Sequence, residues 1–175
     1  MPYLSTRNLA LAIIFGVMIF IFETLLPTPM DKAFTFFQAM LLSLGYLLIG
    51  VPGATFISLI GGSLTAVWRA PLAPFTLGFA LLFGGLIDVF CLVFGARDRN
   101  GNVRQKRLIL AVALSTMITG YSGYYITITF KIMELDPALG NVILIAGIIS
   151  GIVGGYLSLI LWKRILRKDS AGRDQ

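Results

Sequence analysis

The sequence of 175 residues contains no histidine, a single cysteine and few charged residues. Without histidine, and with Cys91 alone inside an apolar run, zinc and copper sites lack their usual ligands and no internal disulfide can form. A serine nucleophile would lack its histidine base, and the glycine-rich phosphate loop ending in lysine is absent from the sequence. We therefore expect no enzyme activity, no metal and no cofactor.

Charged residues make up 13% of the chain and apolar residues 57%, with a mean hydropathy of +0.89. Soluble domains are about 25% charged and about 45–50% apolar. This composition excludes a soluble globular domain, and the high apolar content excludes a disordered chain. It predicts a single membrane domain over residues 1–175.

Six apolar runs approach or reach the length of about 20 residues that a membrane-spanning helix needs. Proline-containing or charged segments separate them, such as Pro52-Gly53 after the second run and residues 97–107 after the fourth. The first run is longer than a signal-peptide core, so we expect it to be retained. The sequence predicts an all-α integral membrane protein, a six-helix bundle with spans over residues 9–26, 34–51, 54–68, 75–95, 108–130 and 139–162 and a flexible cytoplasmic tail, 163–175.

Basic residues are distributed unequally between the two sides that six spans create. The N-terminus, the second and fourth loops and the C-terminus share one side, which holds 11 lysine and arginine residues. The other side holds Lys32, Arg69 and Lys131. Because basic loops stay in the cytoplasm, we expect both termini inside, in a multi-pass protein of the cell membrane.

Small residues recur at steps of four along several spans, and helices in lipid associate closely at such positions. Packing within one fold is the favoured interpretation for the ladders of the third and sixth spans. For the pair in the first span, internal packing and contact with a partner stay equally open. The residues are Ala12 and Gly16 in the first span, Ala54, Ser58, Gly62 and Ala66 in the third, Ala80 and Gly84 in the fourth, and Gly147, Gly151 and Gly155 in the sixth.

A pattern of short helices and small residues covers nearly the whole chain. It includes the pair Ala12 and Gly16 in the first helix, then Gly61-Gly62 before a proline-bearing loop, and Gly84-Gly85 after that loop. In this pattern the chain resembles the S components, the substrate-binding subunits of energy-coupling factor (ECF) transporters. The resemblance implies capture of a vitamin or related micronutrient on the outer side. It also implies docking on a transmembrane coupling subunit driven by two ATPase subunits, with Ala12 and Gly16 on an exposed face for that contact.

Two ionisable residues, Glu23 and Asp88, lie within predicted spans, where a charge at the centre costs about 2.5–3.5 kcal/mol on insertion scales. Asp88 is expected in the cytoplasmic half, where pairing with a cytoplasmic arginine is favoured over a substrate role. Glu23 is expected near the outer end of the first helix. A solvated interfacial carboxylate and a ligand contact are equally open for it.

Aromatic and polar residues also gather at the predicted outer ends of the helices. Aromatic walls with a few polar groups suit a flat heterocycle, and an acid in a span favours a cationic, thiamine-like one. For the aromatic residues, anchoring at the membrane interface is the alternative. The predicted substrate-binding residues are Trp68, Tyr124 and Tyr125 as walls and Glu23, Arg69 and Asn141 as polar contacts.

The first functional hypothesis is therefore a substrate-capture subunit of an ECF-type uptake transporter, powered by partner ATPases. A structural or assembly membrane protein without a ligand is a second hypothesis, and a stand-alone small carrier is a third. The basic residues are explained by topology, so we expect no nucleic-acid partner.

Overall fold

The computed structural model describes residues 6–25, 35–70, 73–98, 102–131 and 136–171, with side chains described as far as residue 164. The last helix continues through the first part of the predicted flexible tail, because no glycine or proline interrupts residues 156–171. The predicted all-helical fold is confirmed for the described residues. They form six helices, α1 (Thr6–Leu25), α2 (Thr35–Ile49), α3 (Gly53–Trp68), α4 (Ala73–Val93), α5 (Gln105–Thr129) and α6 (Pro137–Ala171).

Successive helices run in alternating directions through the bundle. Ser58 of α3 lies against Gly84 of α4, and Gly62, one turn later, lies against Ala80, one turn earlier. These two helices are therefore antiparallel, and the contacts of α5 with α6 have the same order. α1, α3 and α5 therefore finish at one end of the bundle, which we name the Glu23 end. α2, α4 and α6 finish at the other end, which we name the Arg97 end.

Helix α2 is the centre of the bundle. Nine consecutive residues, Ala39 to Leu47, are buried, and α2 contacts each of the other five helices. A helix that is apolar all round and covered on all sides has no face for solvent or lipid.

Four helical segments are long and apolar enough to cross a membrane, namely α1, α4, α5 and Pro137–Arg164 of α6. α2 and α3 have 15 and 16 residues, which is about 22–24 Å of helix against a hydrocarbon core of about 30 Å. An exposed apolar face as long as that of α6 is typical of a helix in lipid and indicates a membrane protein. Its exposed residues recur every three or four positions, Val142, Ile145, Ile149, Ile152 and Tyr156.

The small residues of α3 form a seam with α4. Gly62 lies against Ala80, and Ser58 lies against Gly84. A Cβ atom at Gly84 would be 2.7 Å from the carbonyl oxygen of Ala54, so the seam leaves no room for a side chain there. The predicted role of this ladder in internal packing is confirmed.

The glycines of α6 pack against two helices. Gly147, Gly151 and Gly155 face α5, and a Cβ atom at Gly147 would be 3.1 Å from the Cα of Met117. Gly154 faces α2, where a Cβ atom would be 2.6 Å from the carbonyl oxygen of Phe36. Internal packing is again confirmed, and α6 is joined closely to both α5 and α2.

The pair Ala12 and Gly16 does not lie on an exposed face, so that expectation is wrong. Ala12 is only 3% exposed, and Gly16 is buried against α3. A Cβ atom at Gly16 would be 2.8 Å from Cγ2 of Ile60, while one at Gly61 would be 3.0 Å from the carbonyl oxygen of Gly16. The spacing of small residues brings two backbones together, and here the second backbone belongs to the same chain.

Candidate functional site

A group of polar side chains from three helices meets at the Glu23 end, and we name it the Glu23 cluster: Glu23, Gln38, Thr65 and Arg69. The Nε2 of Gln38 donates to Oε1 of Glu23 at 3.1 Å. The hydroxyl of Thr65 donates to Oε2 of Glu23 at 2.7 Å. The Nη2 of Arg69 donates to the backbone carbonyl of Glu23 at 2.9 Å. The cluster thus joins α1, α2 and the end of α3 through one residue.

The approach of α1 to α3 positions this cluster. Gly16 and Gly61 let the two backbones touch, and Glu23 and Thr65 follow them by seven and four residues. Residues four or seven positions apart share a helix face. The two side chains therefore face each other one or two turns beyond the contact between glycines.

Thr65 has a choice of acceptors for its single hydroxyl proton. Its Oγ1 lies 2.7 Å from the carboxylate of Glu23 and 3.0 Å from the carbonyl of Gly61, four residues back in its own helix. A charged acceptor at the shorter distance makes the stronger bond. The hydroxyl can return to Gly61 when another donor engages Glu23, so the bond within the cluster is exchangeable.

A second carboxylate, Asp88 of α4, binds the start of α3. Its Oδ1 accepts the backbone N–H of Ala54 at 3.3 Å, and its Oδ2 accepts the backbone N–H and the hydroxyl of Thr55 at 2.7 and 2.6 Å. The side chain is buried, with 3% of its surface exposed. Asp88 therefore serves as a helix cap from a neighbouring helix and complements the positive end of the α3 dipole.

The expectation that Asp88 pairs with a cytoplasmic arginine is wrong in the described residues. α3 begins immediately after Pro52-Gly53, and Pro52 provides no side-chain cap. The first amides of α3 are consequently donors without partners in their own helix. Asp88 reaches them because Gly84, one turn earlier, allows α4 to lie close to α3.

Tyr124 is fixed at the junction of α5 and α6. It is 9% exposed, and its hydroxyl donates to the carbonyl of Asp136 at 2.5 Å and accepts the N–H of Asp136 at 3.1 Å. The carboxylate of Asp136 in turn accepts the N–H of Ala138 at the start of α6. These bonds use both the donor and an acceptor of the phenol, so Tyr124 holds the helix connection.

The six predicted substrate-binding residues are not brought together in one site. Glu23 and Arg69 meet, whereas Tyr124 bonds Asp136 at the other pair of helices. Trp68 and Tyr125 are 68% and 63% exposed, and Asn141 is exposed as well. An exposed aromatic side chain near a helix end is typical of an anchor at the membrane interface.

Sequence reasoning missed Gln38 and Thr65 as members of the cluster and Thr55 as a partner of Asp88. Gln38 could have been found from the sequence, because it is the sole amide side chain within the apolar run of α2. Thr65 lies four residues from Gly61 and shares its helix face. Its contact with Glu23 could be predicted only if it were known that α3 packs against α1. The first backbone N–H groups of any helix need an acceptor, so the sequence predicts one at the start of α3 but does not identify it as Asp88.

The Glu23 cluster offers a carboxylate, an amide, a hydroxyl and a guanidinium, a set suited to hydrogen bonding with a small polar solute. Among the described residues, no group of three histidine, cysteine, aspartate or glutamate side chains is placed to hold a metal ion. Comparison with protein-family models, with curated proteins and with solved structures finds no match for this chain. The geometry of the cluster therefore carries the functional argument.

Proposed function

We propose that the chain is a multi-pass protein of the cell membrane whose six helices all cross the bilayer, with both termini in the cytoplasm. The exposed apolar faces and the four long helices support this. The charge distribution supports the orientation. At the Glu23 end the described basic residues are Arg69 and Lys131, whereas at the Arg97 end they are Arg7, Arg97, Arg104, Lys106, Arg107, Lys163 and Arg164.

Within that membrane protein, the Glu23 cluster is a binding site for a small organic micronutrient on the outer side. The observation that carries this proposal is the carboxylate of Glu23, which accepts exchangeable amide and hydroxyl donors, with the guanidinium of Arg69 bound to the backbone carbonyl of the same residue. A cationic group of the solute replaces Gln38 and Thr65 on the carboxylate of Glu23. An acceptor on the solute takes the remaining donors of Arg69.

The chain acts as the substrate-capture subunit of an ECF-type uptake transporter. Its resemblance to S components and the absence of a phosphate-binding loop in its sequence support a subunit that binds the solute while other subunits hydrolyse ATP. A transmembrane coupling subunit and two ATPase subunits supply the energy. Because Ala12 and Gly16 pack inside the bundle, the coupling subunit contacts another face.

Solute binding is tested by mass spectrometry of small molecules retained after gentle purification, followed by titration of the compound found. Thr65→Val should raise its affinity by up to about tenfold, because the solute then no longer has to displace the hydroxyl of Thr65 from the carboxylate of Glu23. Thr129→Val is the matched control at the same end, because among the described residues the hydroxyl of Thr129 bonds only the carbonyl of Tyr125 in its own helix. Equal affinity in wild type and Thr65→Val would contradict the assignment of the site.

Partner association is tested separately by purification from native membranes. Co-purification of a transmembrane protein with two ATPases is expected. Solute binding without such partners would support the stand-alone carrier. Neither solute nor partners would support the structural or assembly protein.

A further inference from the structure

Exposed basic side chains are concentrated at the Arg97 end. Asp98 is the acidic residue among the described loop residues there, and it forms an ion pair with Arg104 at 3.3 Å. The side chains of Lys106 and Lys163 form no hydrogen bond or ion pair with the described residues. The exposed residues that share this end are Arg7, Arg97, Arg104, Lys106, Arg107, Lys163 and Arg164.

The connection between α4 and α5 holds part of this charge in a fixed geometry. Arg97 and Val103 form an antiparallel bridge, and the N–H of Arg104 donates to the carbonyl of Ala96 at 2.8 Å. The Nη1 of Arg107 donates to the carbonyl of Phe94 at 3.0 Å. Cations held by backbone contacts lose little further conformational entropy when they bind an anion.

Arg97 links this connection to the end of α6. Its Nη1 donates to the carbonyl of Leu47 at 3.2 Å, and its guanidinium carbon lies 6.0 Å from the ring centre of Trp162. Lys163 and Arg164 follow Trp162 directly in the sequence. The basic residues of the connection and those of α6 therefore belong to one surface, with a tryptophan at its border.

This surface lies immediately next to apolar side chains that face outward. Leu92 and Val93 precede Arg97 by a few residues, Leu110 follows Arg107, and Tyr156 lies two turns before Lys163, all exposed. Such a boundary between apolar side chains and cations, marked by tryptophan, is where hydrocarbon tails give way to lipid headgroups. A soluble acidic partner would not require the apolar side of this boundary.

We propose that the Arg97 end binds the phosphate headgroups of anionic phospholipids, with Lys106 and Lys163 as charge contacts beside the Arg97–Trp162 pair. This interaction goes beyond solute capture at the Glu23 end. It fixes the depth and orientation of the bundle in the anionic leaflet. Since the two lysines have no described structural bond, neutralising them tests the contact without removing internal support.

The chain offers a direct spectroscopic probe, because it has two tryptophans, one at each end. In the Trp68→Phe variant, Trp162 alone reports on the Arg97 end. The full chain is reconstituted in phosphatidylcholine bilayers containing a small fraction of brominated phosphatidylglycerol or of brominated phosphatidylcholine. Quenching of Trp162 should show a several-fold preference for the anionic lipid, because each nearby cation contributes roughly fivefold.

In this background, Lys106→Gln/Lys163→Gln should lower the preference several-fold, while Lys131→Gln at the opposite end should leave it unchanged. Equal quenching by both lipids in the parent variant would overturn the proposal. So would a loss as large in Lys131→Gln as in the double variant, which indicates a general charge effect. Unchanged quenching by brominated phosphatidylcholine shows that the double variant retains the bundle.

Two further arms distinguish the source of the phosphate. Addition of inorganic phosphate at millimolar concentration should leave the lipid preference unchanged beyond the effect of equal ionic strength in chloride. Specific displacement by phosphate would show a soluble-anion site and contradict the lipid assignment. Specific displacement by an acidic protein partner would contradict it in the same way.

Discussion

The two ends of α3 place similar carboxylates in different chemical surroundings. At its start, Asp88 accepts two backbone N–H groups and one hydroxyl. Toward its end, Glu23 accepts the side-chain donors of Gln38 and Thr65. Backbone donors cannot leave without unwinding the helix, whereas side-chain donors can rotate away. The comparison separates a carboxylate that completes a helix from one whose partners can be exchanged for a ligand.

The largest loss of stability is expected for Asp88→Ala. Removal of the buried acceptor leaves the first amides of α3 without partners, and we expect a loss of about 2–4 kcal/mol in the free energy of unfolding. Asp88→Asn keeps one carbonyl acceptor and should lose less. Unfolding in detergent, followed by circular dichroism, measures both. If Asp88→Ala unfolds like the wild type, the capping role is wrong.

A second change separates α4 from α3 without touching either carboxylate. Gly84→Ala adds a methyl group where the backbone of Ala54 is within contact, and overpacking of this kind lowers stability by about 1–3 kcal/mol. Gly85→Ala is the matched control on the same helix, because a Cβ atom there meets nothing within 4 Å. Comparable melting temperatures for the two variants would show that the seam does not limit the approach of α4 to α3.

Gly16→Leu should disturb the opposite end of α3. The side chain would collide with Ile60 and Gly61 and move α1 away, which separates Glu23 from Arg69, the two residues that hold the proposed solute. We expect solute affinity to fall at least about tenfold, together with a loss of about 1–3 kcal/mol in stability. Ala10→Leu adds volume at an exposed position of α1 and serves as the control. Normal solute binding by Gly16→Leu would contradict the internal packing of Ala12 and Gly16 and would support their contact with a partner.

The smallest expected structural effect is that of Thr65→Val. The shape of the side chain is retained and the bond to Gly61 was an alternative for the same proton, so stability should change by less than about 1.5 kcal/mol. Unfolding under the same detergent conditions measures this change. A loss comparable to that of Asp88→Ala would mean that the Glu23 cluster is a structural centre as well, and the distinction between the two ends would disappear.

The sequence predicts helices and seams well because both depend on local spacing. The ladder through Ser58 and Gly62 requires some close helix, and α4 supplies it. The same spacing cannot say which helix fills the contact, so for Ala12 and Gly16 it leaves a partner helix and α3 equally open, and the resemblance to S components favours the partner. The central position of α2 was also not predicted, since all six apolar runs look alike before packing is known.

The candidate site was predicted only in part, for the same physical reason. Glu23 and Arg69 were selected because charged groups near an outer helix end are conspicuous, and they do meet. Gln38 and Thr65 become partners only through the relative position of three helices. Trp68 and Tyr125 lie near the predicted end but face outward. Their sequence positions indicate the end of the helix at which they lie, but not the face on which their side chains point.

The central claim is that Glu23 takes part in binding whereas Asp88 maintains the fold. Its most direct test is titration of Glu23→Gln and Asp88→Asn with the solute that co-purifies with the wild-type chain, with the melting temperature of each variant measured in parallel. Glu23→Gln should lose at least about tenfold in affinity with a nearly unchanged melting temperature. Asp88→Asn should melt earlier and retain its affinity. Unchanged affinity in Glu23→Gln, or an equal loss of affinity in both variants, would contradict the account.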